Sequence, residues 1–368
     1  MARSLERLFK RGLSTLLRLL FHSSPPRDLP RFFPESILVI RQHNQLGDML
    51  CVVPLLRGLR AKYPSARITL MASPVNYEIM LNNRWLDEVI LYDKRELLKN
   101  GRIRFKSLLK LIKGIRGRFG LVLVPGTVST SFTSDLLAFL TGAHVRIGVA
   151  GLNGEPNKSA FFFNVPVNLD WRGDPHRHQS ARNLDIGAPL SLEVSDLSHE
   201  ITLTETEVAQ GKIEATRLRA AKTYLFGFHP GAGKPPNQWP AESFADLIKR
   251  LLSDYSAAAF ITSGPMDDEV DRILLKSLNG RVELLKNRGI REVASIIKEV
   301  NLFVTNDTGL LHVAAGVGAP TVGLFGPTDP HQWAPIGDRI RYIQGEGSNV
   351  AAISPARVFE LAADLLKE

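Results

Sequence analysis

Residues 224–262 read YLFGFHPGAGKPPNQWPAESFADLIKRLLSDYSAAAFIT. Tyr224–His229 has the length and aromatic content of a buried strand. From His229 to Pro240 glycine, proline, lysine and asparagine crowd together, as a loop requires. Glu242–Tyr255 then reads as a helix, and Ala257–Thr262 as a second strand. Two strands joined through a helix are expected to lie parallel, because an antiparallel pair needs no such crossover.

The same alternation extends in both directions. Downstream, a helix over Asp267–Leu278 precedes Val282–Leu285, a helix over Ile290–Glu299 precedes Leu302–Thr305, and a helix after Asp307 precedes Thr321–Phe325. Upstream, strands are expected at Ser36–Arg41, Arg67–Met71, Glu88–Tyr92, Leu121–Val124 and Val145–Gly148. Helices are expected at Leu50–Tyr63, near Val75–Leu81 and near Ser131–Leu140. Glu193–Glu205 interrupts the pattern with charged and small polar residues. The reading is α/β: two doubly wound Rossmann-like domains facing each other across a cleft, with ligands outside the carboxyl ends of the strands. The expected parts are residues 1–34, an N-terminal domain over 35–192, a connection over 193–205 and a C-terminal domain over 206–368.

The chain has 368 residues, 44% hydrophobic and 23% charged, which excludes a disordered or fibrous class. A single cysteine, Cys51, excludes a disulfide framework or a multi-cysteine metal site and suits a reducing cytoplasm. Residues 1–118 hold 23 Lys and Arg against 9 Asp and Glu, whereas the remaining 250 hold 23 against 28. The basic excess therefore lies in the first third.

Part of it falls in residues 1–22. Leu5, Leu8, Phe9, Leu13, Leu16, Leu17 and Leu20 recur at helical spacing with arginines and lysines largely between them. Such a helix either lies in an anionic membrane interface or packs on its own domain. A signal peptide fits less well, since Arg18 interrupts the apolar run and no A-x-A site follows. Ser23–Pro34 carries four prolines and reads as a tether. A second basic segment, Lys94–Arg118, holds ten Lys and Arg and one acid, Glu96. It is either a solvated helix face or a landing surface for polyanions. Nucleic acid is not expected, because no recognition motif accompanies the charge.

Three loops at strand ends carry the chemistry. The first, Arg41-Gln-His-Asn-Gln-Leu-Gly-Asp48, places a carboxylate at a helix start; Asp48 is either an N-cap or a general base facing the cleft. The second, His229–Pro240, offers Gly231, Ala232 and Gly233 for close approach of an anion and Lys234 as a cation, or it is a structural turn. It is not a Walker loop, since Pro235 stands where Ser or Thr is needed. The third runs from Thr305 through Asp307-Thr308-Gly309 into a helix rich in small residues. Amides at such a helix start suit a diphosphate. It lacks the G-x-G-x-x-G of nicotinamide dehydrogenases. His176-x-His178 with Asp174 has a metal-like look, but a short exposed loop accounts for it, and no metal site is expected.

Gly47-Asp48, Pro54-Leu-Leu-Arg-Gly-Leu-Arg60 and Tyr63-Pro64, together with HPGAG…WP (229–240), NDTGLLHVAAGVGAP (306–320) and GLFGPTDP (323–330), resemble the signatures of the heptosyltransferase family, glycosyltransferase family 9. The resemblance runs from about Ile37 to Pro330 in the family's order. It implies a GT-B fold and inverting transfer of a heptose from ADP-heptose to the lipopolysaccharide inner core. It implies that Asp48 is the base and that Asp307, Thr308, Gly309, Leu310 and His312, with His229, surround the donor. An acid at Asp267 or Asp268, with Asp268 the candidate, would hold the ribose, and Arg41, Asn44 and Gln45 would lie on the acceptor side. The expected partners are the nucleotide sugar, a lipid-linked anionic glycan and the cytoplasmic face of the inner membrane. No cofactor is required beyond a Mg²⁺ that the donor diphosphate can carry.

Two positions depart from the family. Asn237 stands where a lysine is usual, and Gly233 where a serine is usual, so Lys234 is the candidate substitute for the missing cation. Two further readings stand beside the heptose one: a same-family enzyme using another sugar nucleotide or glycan acceptor, and a sugar-nucleotide-binding protein without turnover. The second could dispense with Asp48.

Overall fold

The computed structural model describes residues 29, 31–42, 45–99 and 102–367, and at 98, 99, 102 and 103 the backbone alone. The amphipathic segment 1–22, most of the tether and Asn44 lie outside the described residues. Chain contacts divide the protein into two compact units. The first takes in the described residues up to Gln42, then Val52–Tyr77 and Arg84–Asp196. The second comprises Gln45–Cys51, Glu78–Asn83 and Leu197–Glu368.

In the first unit, β1 (Ser36–Arg41), β2 (Arg67–Ala72), β3 (Glu88–Leu91), β4 (Leu121–Val124) and β5 (Val145–Leu152) form a parallel sheet in the order β3-β2-β1-β4-β5. A short β6 (Glu155–Pro156) pairs antiparallel with β5, and β7 (Val165–Leu169) pairs parallel with it. All four residues of β4, and all of β1 beyond Ser36, are buried, as central strands covered on both faces must be. Leu38, Ile40, Val122, Val124, Leu137 and Phe163 belong to the core beneath them.

Two helices follow β1 directly: α1 (Leu46–Leu50), which belongs to the second unit, and α2 (Val53–Lys62). The sequence predicts one helix over this region. Pro54 breaks it, because its missing N–H is tolerated only in a first turn, so the chain restarts at Val53. In the basic stretch α3 spans Phe105–Ile115, the span over which its apolar residues recur at helical spacing, and it follows two short antiparallel strands at 98–99 and 102–103. Helices α4 (Phe132–Leu140) and α5 (Gln179–Asp185) lie further along this unit, and single helical turns occur at Pro74–Tyr77 and Lys94–Leu97.

The second unit contains α6 (Glu205–Arg219), β8 (Tyr224–His229), α7 (Ala241–Asp254), β9 (Ala257–Ser263), α8 (Asp268–Leu278), β10 (Val282–Lys286), α9 (Ile290–Ile297), β11 (Leu302–Asn306), α10 (Gly309–Gly316), β12 (Thr321–Phe325), β13 (Ile340–Gln344) and α11 (Pro355–Leu365). Its six strands are all parallel, in the order β10-β9-β8-β11-β12-β13. This is the doubly wound order, with its switch point between β8 and β11. The expected alternation is present, and β13 and α11 are additions to it. Residues 192–204 run without helix or strand until Thr204 caps α6, accepting from the Glu207 amide while the Glu207 carboxylate accepts from the Thr204 amide. Among the described residues no helix is long and apolar enough to cross a membrane.

Candidate active site

In the second unit β8 and β11 are neighbours, with His229 opposite Thr305, so their carboxyl ends deliver two of the three loops to one place. A buried asparagine ties them together. Asn306 Nδ2 donates to the Pro230 carbonyl (2.8 Å) and the Gly231 carbonyl (3.2 Å), and its Oδ1 accepts from the Trp239 amide (3.1 Å). Trp239 is itself fully buried and donates Nε1 to the Ile353 carbonyl (2.9 Å). The 229–240 loop is therefore pinned at both ends while Gly233–Pro236 stays exposed. In sequence the signal at Asn306 is only a polar residue closing an apolar strand.

Gly231 lies directly against a carboxylate. A Cβ there would fall 2.4 Å from Asp267 Oδ1, and Asp267 Oδ2 accepts from the Gly264 amide at 2.7 Å. Any larger residue must displace an anchored carboxylate. Its neighbour Asp268 points away: its side chain is 78% exposed and is paired with Lys286 at 2.5 Å. The structure thus brings Asp267, not Asp268, to the loop. His229 Nδ1 donates to the Thr262 carbonyl (3.0 Å), which fixes the tautomer and leaves Nε2 as the acceptor. Burial holds this imidazole below its ordinary pKa, so the ring is neutral at pH 7.

The third loop opens α10. Thr308 is the N-cap, its hydroxyl accepting from the Leu310 amide (3.3 Å), and Gly309 is the first residue of the helix. Asp307 accepts from Asn237 Nδ2 at 3.0 Å. Burial pushes the Asp307 carboxyl above its usual range, offset by a hydrogen bond from Thr328 and by the nearby positive charge of Lys234. Asn237, which stands where the family has lysine, and Lys234, the candidate substitute cation, thus both act on Asp307. Ala232 and Gly233 lie on the same loop, half-buried and exposed respectively.

Helix α1 packs on α10 within this unit. A Cβ at Gly47 would come 2.6 Å from His312 Nε2, and one at Gly309 would come 3.0 Å from Leu46. Glycine at 47 and at 309 is what lets the two helices approach. Asp48 is buried one residue beyond Gly47. The N-cap of α1 is Gln45, so Asp48 sits in the third helical position and the capping alternative does not hold. One turn on, Cys51 Sγ lies 3.5 Å from His199 Nε2, and His199 stacks on His312 at 5.1 Å between ring centres. Among the described residues Cys51, His199 and His312 are the group of three whose ligand atoms, all within 4.8 Å of one another, could share a metal ion. Their positions are too far apart in sequence for spacing to reveal them.

In the first unit Arg41 is buried at the end of β1 and donates to the Pro125 carbonyl (3.1 Å), while Gln42 donates to Ser134 Oγ (2.8 Å). They line a cavity of about 10 Å³ with Gly126 and Asp135, at the switch point between β1 and β4. Gln45 is exposed and belongs to the second unit. His178 is the N-cap of α5, its Nδ1 accepting from the Ser180 amide (3.1 Å), a structural use of the His176-x-His178 loop.

The profile of glycosyltransferase family 9 (heptosyltransferase) matches residues 108–357. Lipopolysaccharide heptosyltransferase 2 of Salmonella typhimurium is 26% identical over 376 aligned positions, covering 90% of this chain and 99% of its own length. The structure of the Escherichia coli ADP-heptose LPS heptosyltransferase II superposes with a TM-score of 0.74 at 25% identity, covering 90% of this chain and 98% of that one. A glycosyl transferase family 9 structure from Veillonella parvula superposes with a TM-score of 0.76 at 23% identity, over 90% and 97%, and shares the GT-B fold.

Proposed function

This chain belongs to glycosyltransferase family 9, the heptosyltransferase family, and from that premise we propose that it moves a heptose from ADP-heptose to the lipopolysaccharide inner core with inversion. It is a glycosyltransferase. The observation that carries the proposal is the packing of α1, which bears Asp48, on the helix that Thr308 and Gly309 open.

In the proposed reaction an acceptor hydroxyl attacks the anomeric carbon of the donor. The new C–O bond forms as the bond from that carbon to the phosphate oxygen breaks, and Asp48 takes the hydroxyl proton. A single displacement inverts the centre and needs no enzyme nucleophile. The departing diphosphate gains charge, which the start of α10 and the Lys234 ammonium stabilise. His229, neutral through burial, can accept from the donor through Nε2. Asp267, held against Gly231, is the better placed carboxylate for a ribose. The reaction as written needs no metal ion, and a Mg²⁺ accompanying the diphosphate is compatible with it.

The acceptor is a lipid-linked anionic glycan, with Arg41, Asn44 and Gln45 on its side of the reaction. The enzyme works at the cytoplasmic face of the inner membrane as a peripheral protein, assisted by the amphipathic segment 1–22. A same-family enzyme with another donor is favoured by one observation: Asn237, not lysine, meets Asp307. Thermal shift with ADP-, GDP- and UDP-sugars separates the two readings, because a tight ligand stabilises only the folded state. ADP-heptose is expected to raise Tm most and to be consumed with a heptose-deficient lipopolysaccharide acceptor. A larger shift with another sugar nucleotide, and no transfer from ADP-heptose, would replace this donor.

A further inference from the structure

The basic stretch of the first unit takes no part in this chemistry. Helix α3 packs inward through Leu111 and Ile115 on the core that includes Val122 and Phe119. At 3.6 residues per turn, Leu108 shares that inward face. Phe105 and Leu109, one turn apart, form a second apolar stripe along the helix edge, with half-buried Ile112 continuing it. Phe105 is 71% exposed and Leu109 is 55% exposed. Lys106, Lys110 and Lys113 run as an exposed row beside that stripe, and Arg104 and Arg116 stand exposed at the two ends. No acidic residue occurs from Phe105 to Arg118.

Single exposed apolar residues are ordinary on a protein surface. A phenylalanine and a leucine aligned in water beside a row of lysines are the pattern of a helix that lies in a membrane interface. We propose that α3 is a docking surface for an anionic phospholipid bilayer, with Phe105 and Leu109 at the acyl boundary and the three lysines among the headgroups. Charge decides the occupant. A lysine reaches the headgroup level with its amine while its methylenes cover apolar surface, and anionic lipid supplies the counter-charge along the whole row. The surface rests on the lipid-linked acceptor proposed above only for its purpose; the binding itself requires no transfer reaction.

The test uses the full chain and two sets of vesicles, phosphatidylcholine alone and phosphatidylcholine mixed with phosphatidylglycerol. Wild type should cosediment with the anionic set, less so in high salt. Phe105→Ser with Leu109→Ser should lower partition roughly tenfold, and Lys106→Glu with Lys110→Glu at least as much, since both the apolar and the ionic contribution are needed. Because these side chains are exposed, Tm and transfer to a soluble acceptor fragment should match wild type, which shows that each variant folds. Partition of both variants within twofold of wild type would overturn the proposal and leave the stripe to a protein partner. Vesicle binding that depends on α3 in a protein without heptosyl transfer would refute the proposed donor or acceptor and leave this inference standing.

Discussion

Replacing Asn306 with leucine asks whether the 229–240 loop is held in place by one side chain. Leucine has the branching and heavy-atom count of asparagine, with methyls somewhat bulkier than the amide atoms, so the change removes polarity without opening a cavity. Three hydrogen bonds disappear, to Pro230 O, Gly231 O and Trp239 N, at a position with no solvent contact. The Gly231 bond is the longest and shares its donor with Pro230, so two interior groups are left clearly unpaired: the Trp239 amide and the Pro230 carbonyl. Each costs about 1–3 kcal/mol. The loop between them is exposed and can relax toward water, which keeps the expected sum in the lower range, about 2–4 kcal/mol. Urea unfolding followed through the second unit reads this directly. Calorimetric titration with ADP should show weaker binding as well, because the loop carries His229, Gly231 and Lys234. A stability loss below about 1 kcal/mol would refute the pinning argument. Lower stability with unchanged ADP affinity would show that the loop is not part of the donor site.

Asp48→Asn should lower turnover by about 10²–10⁴-fold and leave ADP affinity nearly unchanged, as loss of a general base does; single-turnover rates within about threefold of wild type would remove Asp48 from that role. Lys234→Ala should weaken ADP binding by about 1.5–3 kcal/mol, and adding Asn237→Lys should restore part of it, whereas a silent Lys234→Ala would leave the usual family cation without a substitute. Gly47→Ala should abolish transfer and lower Tm, since its Cβ meets His312 2.6 Å away and α1 must move off α10; wild-type activity would contradict that packing. Glu207 is held at a pKa of about 2 against an ordinary 4.5, chiefly by the Arg291 guanidinium at 2.5 Å. A depressed carboxylate contributes stability that is fully present above its unfolded pKa and is lost as pH falls from 4.5 toward 2, roughly 1–3 kcal/mol once solvent screening of this partly exposed pair is counted. Glu207→Gln should flatten that part of the stability–pH curve, and superimposable curves would mean the Arg291 pair contributes nothing.

Much of this architecture is local and was open to reading in the chain. Buried central strands such as Leu121–Val124 are apolar throughout because both faces are covered, and Pro and Gly concentrate where the backbone must turn. The loops after His229 and Asn306 were legible for the same reason, and the ordered motifs along them led to the family. Tertiary structure decided what depends on direction and on partners distant in sequence. Adjacent residues at a helix start diverge by about 100°, so no pattern says whether Asp267 or Asp268 faces Gly231. Packing of α1 on α10 assigns Gln45–Cys51 to the second unit, although the surrounding chain belongs to the first. Cys51, His199 and His312 meet only because that packing exists. Asn306, a lone polar residue in sequence, becomes the anchor of a loop more than sixty positions upstream, because a buried amide satisfies its donors and acceptors wherever the fold supplies them.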